Sequence, residues 1–257
     1  MRQQDLEGFL HQYEQVNKNR KTHLLWTLKE LATLFEQRGW QPVGRPKSLV
    51  EMVITVSAGV EHTLLIHEPF TPADLPNEDV IGLTCGVRIY FSELEAVINQ
   101  AFGRDVNKVG KMSMSIHLCQ LAPPDHCYAG NVHLINTTGN NVTQSLRQFV
   151  EDYDIYLEPV RLQLCSTSVF AEEECAVPKA DFWGWNLRRA AYLHLHADSA
   201  TKERYFAWLE GQVSAVLKNS NPQRMERPRV FSDLREVQAD SVRRGAEEAR
   251  QFMAAIR

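Results

Sequence analysis

No stretch of this chain stays apolar for long. The most hydrophobic runs, such as TLLI at residues 63–66, last only a few residues, far short of the ~20 that a membrane-spanning helix needs. The opening MRQQDLEGFLHQYEQVNKNRK is polar and mixed in charge and holds no apolar core of the length a secretion signal carries. Cysteine is scarce: the five are odd in number and scattered over positions 85, 119, 127, 165 and 175. Reduced thiols in a cytoplasmic protein are expected from that pattern, rather than a disulfide framework. In that setting the sequons at Asn136 and Asn141 carry no glycan.

Charge of one sign is lacking too. The net charge of -4 gives no electrostatic reason to expect nucleic acid or an anionic membrane as partner. No GxSxG, HExxH, GxGxxG or CxxC occurs, which removes the motif-borne hydrolase, zinc-protease, dinucleotide and thioredoxin readings. GRDVNKVGKM falls short of a phosphate loop, because Gly103 and Gly110 are too far apart and Met112 stands at the magnesium-ligand position.

What is present is an ordinary globular composition, 44% hydrophobic and 23% charged, in a chain long enough to bury a substantial core. Leu24, Leu25, Leu28, Leu31, Ala32 and Phe35 recur at helical spacing and predict a helix over residues 22–38. Gly39 caps it, and Pro42 prevents its resumption. A more polar helix over residues 6–16 precedes it. EMVITVS and HTLLIHE, parted by AGVE, read as a hairpin. VIGLTCGVRIYF, MSMSIHLCQL and NVHLIN add three more strands, with Ser92 capping a short helix between the first two of these. Later segments are helical: one helix through Val142, Leu146, Phe149 and Val150, one over residues 156–164 with Pro159 in its first turn, a pair over 183–196 and 201–217, and a last one over 232–256. The fold class expected is α+β, a mostly antiparallel sheet of about five strands in the middle of the chain, flanked by helices. The organisation expected is one domain over 1–217, a linker over 218–231 marked by two prolines, and an amphipathic helix over 232–257.

Chemistry concentrates in IHLCQLAPPDHCYAGNVH, residues 116–133, where His117, Cys119, His126, Cys127 and His133 crowd together. Strand alternation puts Ile116 and Leu118 on one face with His117 and Cys119 on the other, and makes Val132 and Leu134 core, leaving His133 on the polar face. A zinc ion would accept His117, Cys119 and His133 with a loop donor, but without paired ligand spacing the segment reads as a hairpin, with no metal, cofactor or catalytic residue assigned. Glu172, Glu173 and Glu174 read as solvated loop charges. His194 and His196 lie two apart on a helix and do not chelate as a pair. Trp183 and Trp185 begin a helix ahead of Arg188 and Arg189 and read as core anchors, with an aromatic pocket as the alternative.

The final helix carries an apolar seam of Val242, Ala249, Phe252, Met253 and Ile256. Its segment, 218–257, holds nine Lys/Arg against six Asp/Glu, opposite in sign to the acidic remainder. The seam packs back on the body or docks on a second chain, and it is the partner-binding surface the sequence offers.

LKELATLFEQRGWQPVG, EMVITVS, GVRIYFSELEAV and YLEPVRLQL together resemble small bacterial α/β proteins of the immunity or toxin-system accessory type. The resemblance implies a non-enzymatic cytoplasmic protein that neutralises or presents a partner protein. Two alternatives stand beside it: a hydrolase using the His117, Cys119 and His133 strand face or a Trp183/Trp185 pocket, and a structural subunit that docks or self-associates through its last helix.

Overall fold

The computed structural model describes residues 20–45, 49–69, 80–105, 111–128, 132–136, 141–171, 182–219 and 232–256. It is an α+β protein with a six-stranded, mostly antiparallel sheet. The helix expected over 6–16, the Glu172–Glu174 loop with Cys175 and most of the 218–231 linker lie outside those residues.

Chain packing divides the protein into two compact units: residues up to Tyr90 with Ser115–Ser166, and Phe91–Met114 with Thr167–Arg257. Helices of the carboxyl-terminal third pack among themselves and with the short helix after Phe91, which composition cannot reveal.

The first unit begins with α1 (Arg20–Glu36), whose Leu28, Leu31 and Phe35 are buried at the helical spacing read in the sequence. Gly39 ends it at a φ of 89°, a left-handed conformation that glycine adopts without steric cost. Strand β1 (Gln41–Pro42) pairs with β2 (Leu49–Ser57), which forms an antiparallel hairpin with β3 (Val60–His67). Val50 and Met52 of β2 and Leu64 and Ile66 of β3 share the buried face, in registers Val50↔Ile66 and Met52↔Leu64. His62 sits on that face too and is fully buried.

Strand β4 (Val80–Phe91) is flanked by β3 and β5 (Met114–His117), and its first residues pair antiparallel with β6 (His133–Asn136), Leu83 opposite His133. The expected long strand MSMSIHLCQL stops at His117. A single helical turn follows over Leu118–Leu121, burying Leu118 and closing with an Ala122 N–H to Leu118 carbonyl bond of 2.9 Å.

In chain order the helices are therefore α2 (Ser92–Ala101), α3 (Leu118–Leu121), α4 (Asn141–Asp152), α5 (Glu158–Gln163), α6 (Phe182–His196), α7 (Ser199–Asn219) and α8 (Ser232–Ile256). A π-helical turn, Tyr153–Leu157, joins α4 to α5. Pro159 follows at once in the first turn of α5. Its ring would clash with the carbonyl four residues back in a regular helix, and the widened turn relieves that clash. Arg38, just past α1, holds the turn from outside through paired bonds of 3.1 and 2.8 Å to Asp154.

A buried polar network fixes the interior of this unit. Arg161 donates to both carboxylate oxygens of Glu158 and, at 3.2 Å, to Nδ1 of His62. Tyr153 donates to Glu158 at 2.7 Å and accepts from the Trp40 indole at 3.2 Å. Every member has a partner, which offsets the cost of taking these groups out of water.

The second unit packs α2, α6, α7 and α8 around Leu94, Ile98, Leu209, Ala246, Phe252 and other apolar side chains. Ser92 is the first helical residue of α2 and makes no side-chain cap bond, contrary to the cap expected there. The cap at α7 is Asp198, which accepts the Thr201 N–H at 2.8 Å. Between α2 and α6, Arg188 donates to Glu95 at 2.8 Å in the interior.

Candidate functional site

Of the five metal-capable residues read in the sequence, the fold gathers three. Cys119 Sγ, Cys127 Sγ and a ring nitrogen of His133 all lie within 4.8 Å of one another. Three different pieces of local structure bring them there. Cys119 is turned off the strand axis by α3, Cys127 follows the 3₁₀ turn Pro124–His126, and His133 opens β6 opposite Leu83.

His133 is buried, contrary to the polar face expected for it. Its ring packs edge-on against Phe149 at 5.3 Å, and its Nε2 lies 2.8 Å from Asp152 Oδ2. Asp152 is buried at the end of α4, where it also accepts from Gln148 at 2.7 Å and from His126 Nδ1 at 3.0 Å. With the carboxylate accepting from Nε2–H, the Nδ1 lone pair of His133 faces Cys119, whose Sγ is 3.2 Å away. Cys127 Sγ lies 4.0 Å from Nδ1 and from Nε2 alike.

These spacings suit a tetrahedral metal. Zinc bonds of about 2.3 Å to sulfur and 2.0 Å to nitrogen give tetrahedral edges of roughly 3.5 Å between S and N, and the two observed distances straddle that value. A metal-bound histidine whose other nitrogen donates to a carboxylate is the usual way such rings are oriented.

Burial sets the protonation of the cluster. Burial pushes the Cys119 thiol well above its ordinary range, and the adjoining Cys127 adds to the effect. Burial likewise raises Cys127. It lowers His133, against the opposing pull of Asp152. Without a cation the cluster is therefore two thiols and a neutral imidazole, and a bound divalent ion would supply the charge that makes the sulfurs thiolates.

His117 is not part of the group. It is exposed at the end of β5, with its ring laid over Gly86, where a Cβ would come within 2.9 Å of Nδ1. His126 serves Asp152 instead of the sulfurs. Among the described residues no fourth His, Cys, Asp or Glu joins the three. Asp152 and Gln148 escaped the sequence reading, although a signal existed: Asp152 lies on the stripe of α4 that carries Phe149, an unusual place for an acid without a partner.

The other sequence candidates fare differently. Ala249, Phe252 and Met253 of the α8 seam are buried, and α8 packs on α2, α6 and α7 of its own unit. Ile256 is half-buried, and the side chain of Val242 lies outside the described residues, as do those of Trp183 and Trp185. No helix among the described residues is long and apolar enough to cross a membrane. Comparison of the chain with protein-family models, with curated proteins and with solved structures finds no match.

Proposed function

We propose that this chain is a zinc-binding protein whose metal is held by Cys119, Cys127 and His133. The reading rests on one observation, the convergence of these three donors within 4.8 Å, the histidine among them already oriented by a buried carboxylate. Three protein donors are the number found where zinc keeps a position for water or an outside ligand, whereas structural zinc sites close with four. Among the described residues the chain supplies three donors, so the fourth position falls to water, a small molecule or a donor outside those residues. A thiolate centre suits the reducing cytoplasm expected from the scattered cysteines.

The immunity-like, partner-neutralising role remains a proposal carried by sequence resemblance alone. The stripe on α8 does not add to it, because that surface is already buried within its own unit.

The test is metal uptake. Purified chain refolded or dialysed against zinc should retain one equivalent by elemental analysis, and cobalt should give the near-ultraviolet charge-transfer absorption of thiolate ligation. Cys119→Ser, Cys127→Ser and His133→Gln should each abolish tight uptake, and His117→Gln should not. Uptake unaffected by any of the first three variants would sink the assignment.

A further inference from the structure

We propose that Cys119 and Cys127 are a peroxide-responsive dithiol whose oxidation to a disulfide discharges the metal. The release rests on the zinc reading above, while the thiol pairing rests on geometry alone. The two sulfurs lie within 4.8 Å of one another, close enough for small movements of the Cys127 loop to join them. Both residues are half-buried and not sealed, so a small oxidant has access to them, whereas Cys85 is sealed in the core. Cys165 is also half-buried, but its thiol sits against the Arg161 carbonyl at 3.7 Å, and among the described residues it belongs to no group of metal-capable side chains.

The chemistry closes with hydrogen peroxide as the oxidant. In the metal-free chain His133 Nδ1, 3.2 Å from the Cys119 sulfur, takes the thiol proton as that sulfur attacks one peroxide oxygen; the O–O bond breaks and the departing oxygen receives the proton. The products are a sulfenic acid on Cys119 and one water. Cys127 sulfur then attacks the Cys119 sulfur, the S–O bond breaks, and the Cys127 proton leaves with the hydroxyl as a second water. Two thiols have lost two electrons and two protons, and the peroxide has taken both. Of the three metal donors only His133 is left, and a single imidazole does not hold zinc against water. A thiol reductant reverses the bond and restores the site.

The experiment titrates the full chain, zinc-loaded and metal-free in parallel, with hydrogen peroxide. Remaining thiols are then alkylated, peptides are mapped by mass without reduction, and released zinc is read with a chromogenic chelator. The expected result is a Cys119–Cys127 linked peptide in both samples, appearing in step with zinc release and removed by dithiothreitol, with Cys85 and Cys165 still alkylated. Zinc release accompanied by sulfinic acid on Cys119, or by links to any other cysteine, would overturn the switch while leaving the zinc reading intact. A Cys119–Cys127 link in a chain that takes up no zinc would keep the dithiol and overturn the zinc reading instead. Cys127→Ser gives a further check, since it must lose the link and stop at an oxidised Cys119.

Discussion

His133 and Asp152, nineteen residues apart in the chain, meet at 2.8 Å with both side chains buried. That contact decides which ring nitrogen faces the two cysteines. An imidazole free to turn could present its N–H to the sulfurs. Tied through Nε2, it offers Nδ1 as a standing donor pair.

Weakening that tie should weaken the metal without removing a ligand. Asp152→Asn keeps a hydrogen-bond acceptor in the same volume but removes the charge that makes the imidazole a stronger base. Zinc affinity, measured by competition with a chelator of known strength, is expected to fall by about 10–100-fold. Equal affinity in the variant and the parent would mean that the carboxylate orients nothing.

How much of this was legible in the sequence is seen best in His133 itself. Helix α1, its glycine stop and the β2–β3 hairpin follow from local spacing, and each formed where periodicity put it. The phase of β6 did not. Alternation sent Val132 and Leu134 inward and His133 outward; Val132 is buried as expected, but within β6 the buried pair is His133 and Ile135, and Leu134 is only half-buried. A histidine is paired inside only because Asp152 and Phe149 wait for it on a helix later in the chain, and no local pattern encodes that. Cys119 was misjudged for the opposite reason. One helical turn at Leu118 breaks the alternation and swings the sulfur away from the side shared with His117. Asp152 on the apolar stripe of α4 was readable, but only as a polar residue in need of a partner.

His62 makes the first unit sensitive to acid. Its Nδ1 accepts from Arg161 at 3.2 Å and its Nε2–H donates to the Leu164 carbonyl at 3.0 Å, so a second ring proton would find only a guanidinium facing it. Burial, with Arg161 adding to it against the opposing Leu164 carbonyl and Glu158, lowers its pKa from 6.5 to about 4. Between those values the unfolded chain binds a proton that the folded one refuses, so stability rises with pH across that window. The contribution is complete above pH 6.5 and is lost as the pH falls toward about 4, amounting to roughly 3 kcal/mol at about 1.4 kcal/mol per pH unit. Denaturant titrations at a series of pH values should show this loss in the parent and a flatter profile in His62→Gln. Matching profiles would remove His62 as the cause.

The Glu95–Arg188 pair, 2.8 Å apart and almost without solvent, predicts an asymmetry between single and double variants. Arg188→Met strands a buried carboxylate and should cost about 3–5 kcal/mol of stability. Pairing it with Glu95→Leu removes the stranded charge and should recover most of that loss. Denaturant midpoints of the two variants decide the matter: a double variant no better than the single one would show that the pair's value lies in packing.

The last test concerns the seam of α8. Phe252 is fully buried, 6.3 Å from the ring of Phe102, on a helix that packs against α2, α6 and α7 of the same unit. Truncating such a ring loses its transfer free energy and leaves a cavity that rigid neighbours fill only in part, at a cost of about 3–5 kcal/mol. Phe252→Ala should therefore lower the melting temperature of the protein. Its mass in solution, measured by light scattering, should stay that of the parent, because the ring meets its own chain. If α8 instead exchanged with a second copy, the substitution would lower the mass as well as the stability. A variant with both quantities unchanged would mean that the helix leaves its unit in solution and that Phe252 is not held in the core described above.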